Sequence, residues 1–214
     1  MNHSSLWVMD KEFYGSELIE FSNSWLFSPM IWDVLLDKYM SQRKMQLFNG
    51  ERAGFMSSIM ADKSLNSDLN DCINKCNNLS DRIAWEMSNQ QIFFTKDKLD
   101  VANAIREFVQ KNKHYNRNSD GICPLEQEHI IKHFNEIAEV IEQLQEAENP
   151  YFIFKTSSAD DDVEYWFSEY SEEEKEYIPR SLKTVEKVVA EFVSLTGAGG
   201  MEFIMVPREG KENK

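Results

Sequence analysis

His129 and His133, four residues apart, and Glu136 three further on, form the pattern in this sequence closest to a metal-ligand set. Residues four apart share one face of a helix. Two imidazoles on one face, with a carboxylate or thiolate as third ligand, suffice to hold zinc. His114 and Cys123 lie upstream as further donors. Between the two histidines, however, stand Ile130, Ile131 and Lys132. A zinc-hydrolase helix needs a glutamate directly after the first histidine to activate water. Both histidines also border the apolar stripe of their helix. The trio therefore supports a secondary reading, a small metal-dependent hydrolase or metal-binding module, with zinc as its one cofactor. The primary reading developed below implies no cofactor.

The remaining chemical candidates fall to simpler accounts. Cys72 and Cys76 have the spacing of helical core positions, not the CxxC of a zinc ribbon or redox site. Cys123, before Pro124 at an expected helix start, is the better reactive thiol, but no partner base accompanies it. The glycine-rich run 196–200 leaves a helix and enters a strand, the reverse of a phosphate-binding loop, so it reads as a helix stop and tight turn. Asp160, Asp161 and Asp162 are adjacent and point in different directions, so one ion would not collect all three. The basic stretch Arg106, Lys111, Lys113, His114 and Arg117 is too short to suggest nucleic-acid binding in so acidic a chain.

The elements that must carry these residues follow from periodicity and punctuation. Residues 6–9 read as a strand and 17–21 as its hairpin mate, across a turn near Gly15. Ser28–Pro29 opens a helix running to about Met40 and buried on most sides. Residues 41–64 give no clear pattern. Helical spacing covers 67–87, a short strand 91–95, and a helix capped by Thr95 covers 96–111 with Leu99, Ala102, Ile105, Phe108 and Val109 inward. A polar loop at 112–121 precedes a long helix from Pro124 to Asn149–Pro150. Its stripe Ile130, Phe134, Ile137, Ile141 and Leu144 is the clearest in the chain. A strand at 151–155, a helix at 180–195 closed by Gly197, and a strand at 203–206 complete the series. Strands scattered among long helices give an α+β fold, with several long amphipathic helices packed on a small, mostly antiparallel sheet. One domain over residues 1–209 is expected, with 210–214 a frayed tail.

Charge is distributed far less evenly than apolarity. Residues 160–176 hold nine acids against Lys175, and residues 126–148 hold seven against Lys132. These two segments together account for the whole net charge of −14. Only one strand separates them, so they are expected to converge on one negative face. Asp160, Asp161, Asp162, Glu164 and Glu169 share that face with Tyr165, Trp166, Phe167, Tyr170 and Tyr177. Aromatics anchor interfaces and acids steer a basic partner toward them. The plainer account is that Glu-rich faces are solvated, that acids gather at helix N-termini, and that the rings turn inward.

Composition bounds the rest. The 214 residues include 14 Phe, 7 Tyr and 5 Trp, enough core-forming area to argue against disorder. A net charge of −14 disfavours direct binding to nucleic acid or to an anionic membrane. No run approaches the ~20 apolar residues that span a bilayer. The N-terminus has no basic region, and three cysteines form no disulfide framework, so a cytoplasmic protein with reduced thiols is expected. The primary functional expectation is an acidic interaction protein that binds and neutralises a basic protein. That partner would be a nuclease toxin or a nucleic-acid-binding factor, met by an inhibitor of the immunity, antitoxin or anti-defence type whose carboxylates mimic nucleic-acid phosphates.

Overall fold

A computed structural model describes residues 3–22, 26–47, 54–113, 128–155, 167–181 and 203–204. The hairpin expected at the N-terminus is present. β1 (His3–Met9) and β2 (Gly15–Ser22) pair antiparallel, with Leu6 opposite Ile19 and Trp7 opposite Glu17. That shift leaves Leu18 as the extra residue of a bulge. The turn is Asp10–Tyr14. The Asp10 carboxylate accepts the amides of Glu12 at 2.8 Å and Tyr14 at 3.0 Å, and Phe13 takes a left-handed φ of 62°.

Gly15 is therefore the first residue of β2 and not the turn. Its hydrogen serves a different purpose. The Phe167 ring lies over it, so a Cβ there would sit 2.4 Å from the ring. Gly15→Val is expected to destabilise the fold by about 1–3 kcal/mol, the usual cost of overpacking. Urea unfolding of Gly15→Val in the presence and absence of Phe167→Ala checks this. Once the ring is removed, the valine should cost little.

β3 (Ile92–Phe94) and β4 (Tyr151–Lys155) also match expectation. β4 pairs antiparallel with both β1 and β3, and β7 (Phe203–Ile204) runs parallel to β3. The strand order is β2-β1-β4-β3-β7. β5 (Ser168–Ser171) and β6 (Glu176–Pro179) form a separate hairpin. Side chains alternate across the main sheet. Leu6, Val8, Phe21, Phe93, Phe152 and Phe154 face the helices and join the main core. Trp7, Met9, Ile92 and Ile153 face the other way and pack with Phe167, Phe13 and Tyr151.

The helices are α1 (Ser28–Leu47), α2 (Phe55–Ala61), α3 (Leu65–Lys75), α4 (Leu79–Ser88), α5 (Lys98–Lys111) and α6 (Glu128–Gln143). With the sheet they make the α+β fold that the sequence implied. The expected stripe is buried throughout, from Ile130 to Leu144, although α6 ends at Gln143 and not at Asn149–Pro150. None of the described helices is long and apolar enough to cross a membrane.

Local chemistry explains the departures. α1 does not stop at Met40; it breaks there (φ −129°, ψ 20°) and resumes to Leu47. The helix expected over 67–87 is two helices. Cys76 leaves helical geometry, and the Asn78 side chain caps α4 by accepting the Asp81 amide at 3.3 Å. Thr95 is not a cap. Its hydroxyl donates to the Asn149 carbonyl at 2.5 Å and its amide to the Pro150 carbonyl at 2.8 Å, tying a 3-10 turn (Thr95–Asp97) to the start of β4. Leu99 is 56% exposed, whereas Ala102, Ile105, Phe108 and Val109 are buried as expected. The polar loop beyond residue 113, the Pro124 helix start, the helix expected over 180–195 from residue 182 onward with its Gly197 cap, the glycine run 196–200 and the tail 210–214 lie outside the described residues, and Arg180 and Ser181 are not helical.

Candidate functional site

α6 carries His129, His133 and Glu136, but it does not turn them to one point. His133 is 7% exposed and meets the Phe21 ring edge-on at 6.1 Å. Its Nε2 is buried with no hydrogen-bond partner. His129 is exposed, and Glu136 pairs with Lys132 at 3.5 Å. Among the described residues no three His, Cys, Asp or Glu side chains are grouped to hold a metal. His114 and Cys123 lie outside the described residues.

Burial lowers the His133 pKa below its ordinary 6.5. Glu136 opposes that shift, and His129 adds to it. The unfolded chain thus takes a proton at 6.5 that the folded chain refuses until a lower pH. Stability from the neutral ring is full above pH 6.5 and is lost as pH falls toward the folded-state value. Thermal unfolding between about pH 8 and pH 5 should show this decline, and His133→Leu should flatten it, having nothing to protonate there.

Cys72 and Cys76 are free thiols and only half-buried. The buried face of α3 is Leu65, Leu69 and Ile73, so the cysteines border the core where the sequence had placed them within it. Cys76 Sγ lies 3.7 Å from the Asn78 carbonyl.

Two polar networks escaped the sequence reading. Asp81, fully buried, accepts from Lys38 Nζ at 2.6 Å, from the Tyr39 hydroxyl at 2.6 Å and from Asn112 Nδ2 at 3.2 Å. Asn112 Oδ1 in turn accepts from Lys38 at 3.2 Å. Burial, reinforced by the hydrogen bond to Asp81, holds the Tyr39 phenol protonated well above its usual range. With three donors on its carboxylate, Asp81 serves as a clamp between α1, α4 and α5 and not as a free base. Arg43, after the break in α1, binds Asp68, Asp62 (Nε–Oδ2, 2.9 Å) and Ser64 (2.6 Å), which fastens the end of α1 to the α2–α3 connection. A cleft of about 560 Å³ runs along this turn of α1, lined by Tyr39 to Arg43.

The described parts of the two acidic segments, α6 and the β5–β6 hairpin, belong to different layers. α6 packs on the side of the sheet bearing Leu6 and Val8, and Phe167, at the foot of the β5–β6 hairpin, packs on the side bearing Trp7 and Met9. A single intervening strand, β4, separates two layers instead of joining two neighbours. Several α6 carboxylates are also engaged internally. Glu142 forms a forked pair with Arg106 (Nη2–Oε2, 2.9 Å), whose hydrogen bonds hold the carboxyl below its ordinary range.

The hairpin itself is a defined surface. Phe167 stacks on Trp7 at 5.7 Å, and its carbonyl accepts the Arg180 amide at 2.9 Å. The Ser181 hydroxyl donates to the Glu12 carbonyl, linking the hairpin's far end to the β1–β2 turn. Tyr170 and Tyr177 are directly opposed across the strands and meet edge-to-face at 5.5 Å. They are 48% and 60% exposed. At the tip the Ser171 carbonyl accepts the Lys175 amide at 2.8 Å, and Ser171 Oγ accepts the Glu174 amide at 3.1 Å. Glu169, Glu172, Glu173, Glu174 and Glu176 are all exposed. The base at the tip, Lys175, pairs with Glu172 at 2.8 Å. Of the residues expected to bind a partner, Glu169 and Tyr170 fall on this hairpin. Asp160, Asp161, Asp162, Glu164, Tyr165 and Trp166 lie outside the described residues. Tyr177, expected on the same face, stands opposite Tyr170, whereas Phe167, also expected there, is buried against Trp7. The signal was present in the sequence as two tyrosines flanking a polar run that begins with a turn-forming serine. No family model, curated protein or solved structure matches the chain.

Proposed function

We propose that this chain is a non-enzymatic binding protein that captures a basic protein and occludes its working surface. It would act as an immunity protein, antitoxin or anti-defence inhibitor does against a nuclease or nucleic-acid-binding factor. The observation carrying this reading is the Tyr170–Tyr177 pair, two half-exposed rings held on a short hairpin and ringed by five exposed glutamates. Exposed tyrosines on a rigid support lose little entropy on binding and give large contact area. Carboxylates around them raise the rate of encounter with a cationic surface and can stand where phosphates would. The net charge of −14 fits the same class of partner and opposes nucleic acid itself.

Association with a basic partner, recovered from the native host by pull-down, tests the reading. Replacing Glu169, Glu172 and Glu173 by Lys should slow association by roughly tenfold or more at low salt and flatten its salt dependence. Tyr177→Ala should act instead on dissociation, at a cost of about 2 kcal/mol. An unchanged on-rate and salt slope in the reversed variant would remove the proposal.

A further inference from the structure

β2 differs from the strand it pairs with. β1 is buried over Ser4–Met9, whereas Ser16 to Glu20 of β2 are exposed at every position, so neither face of this stretch is covered. β2 is also the edge of the main sheet, and among the described residues no strand pairs with its outer side. Leu18 and Ile19 are 50% and 37% exposed. An open edge offers a row of amides and carbonyls to an incoming chain, and proteins usually blunt such an edge. The Leu18 bulge and the charges of Glu17 and Glu20 do so selectively. Two copies pairing symmetrically across this stretch would set Glu17 of one opposite Glu20 of the other, which is repulsive. A cationic strand meets the same carboxylates favourably.

From this we infer that β2 accepts an extended, Lys- or Arg-rich segment of the partner by strand addition, cations toward Glu17 and Glu20 and aliphatic side chains toward Leu18 and Ile19. The inference rests on the docking function proposed above and names how the partner is held. The two surfaces are continuous. Gly15, which begins β2, lies under Phe167 at the hairpin's foot, and Glu12 just before it accepts from Ser181. A partner seated on Tyr170 and Tyr177 is thereby placed to run along the edge.

The probe is a blocked eight-residue peptide of alternating Lys and Val, added to the full chain labelled for NMR. Two further forms carry N-methyl groups on alternate amides, one form blocking each edge of the peptide. Amide exchange over residues 16–22 should slow by about tenfold with the parent peptide. One methylated form should retain this effect and the other lose it, because a strand pairs through one edge only. A Thr/Val peptide should bind far less. Equal binding of both methylated forms would overturn strand addition. Shift changes confined to Tyr170 and Tyr177 would overturn it too, leaving the hairpin reading intact. Concentration-dependent protection of β2 without peptide would make a second copy the occupant and refute the inference. No response at either surface would count against both proposals together.

Discussion

Asp81→Ala should destabilise the protein by about 3–5 kcal/mol, the cost of removing one member of a buried charged pair. For a chain of this size that is a fall of roughly 10 °C in melting temperature. The size of the effect comes from what the deletion leaves behind. Lys38 Nζ, the Tyr39 hydroxyl and Asn112 Nδ2 all donate to this carboxylate, and its loss leaves Lys38 only Asn112 Oδ1 and leaves Asn112 Nδ2 only the Phe108 carbonyl. Lys38 is the worst placed, since its ammonium is largely enclosed. Lys38→Met in the Asp81→Ala background should therefore recover part of the loss, and a double-mutant cycle measured by urea unfolding reads the coupling. Strict additivity of the two changes would show that the ammonium escapes to water and that the clamp is weak.

Phe134→Ala is the second large effect, expected at about 3–5 kcal/mol. Phe134 is fully buried at the middle of α6, 4.7 Å from the Phe27 ring and 6.2 Å from that of Phe108. Phe27 also lies 4.7 Å from Phe154 on the sheet. This chain of rings joins α6, α5, the entry to α1 and β4, so a cavity at its centre cannot be filled by moving one element alone. Phe134→Leu should cost less than about 1.5 kcal/mol, because it keeps most of the volume. Urea midpoints with an unchanged m-value for both variants would confirm packing loss in the native state, not a change in the unfolded one.

The same residues show what the sequence made visible. Phe134 belongs to a stripe whose spacing of four and three is a local property, and the structure buries every member of it. The β1–β2 hairpin was equally legible as two short strands across a turn, whereas its register, shifted by the Leu18 bulge, was not. Asp81 was not. Its partners stand 43, 42 and 31 residues away, and no local pattern reports contacts between helices at that separation. The break at Cys76–Asn78 was hidden for a related reason. Apolar residues keep a helical rhythm across it, and only the capping chemistry of Asn78 reveals the restart. The described parts of the two acidic segments fall in different layers, because neighbours in the sequence need not be neighbours in space. A strand that crosses between layers puts its neighbours on opposite sides. Two of the eight residues expected to bind a partner, Glu169 and Tyr170, lie on the described hairpin, because glutamates around exposed tyrosines are a compositional signal as well as a structural one.

The fit of Phe167 over Gly15 carries a consequence for how such a protein can change. Of the residues from 167 to 179, only Phe167 belongs to a buried cluster, and it fills a space that exists because residue 15 lacks a side chain. Residues 168–179 add no side chain to either buried cluster. They are therefore expected to tolerate substitution more readily than the body does, so long as Phe167, Gly15 and the anchoring contacts of Arg180 and Ser181 are kept.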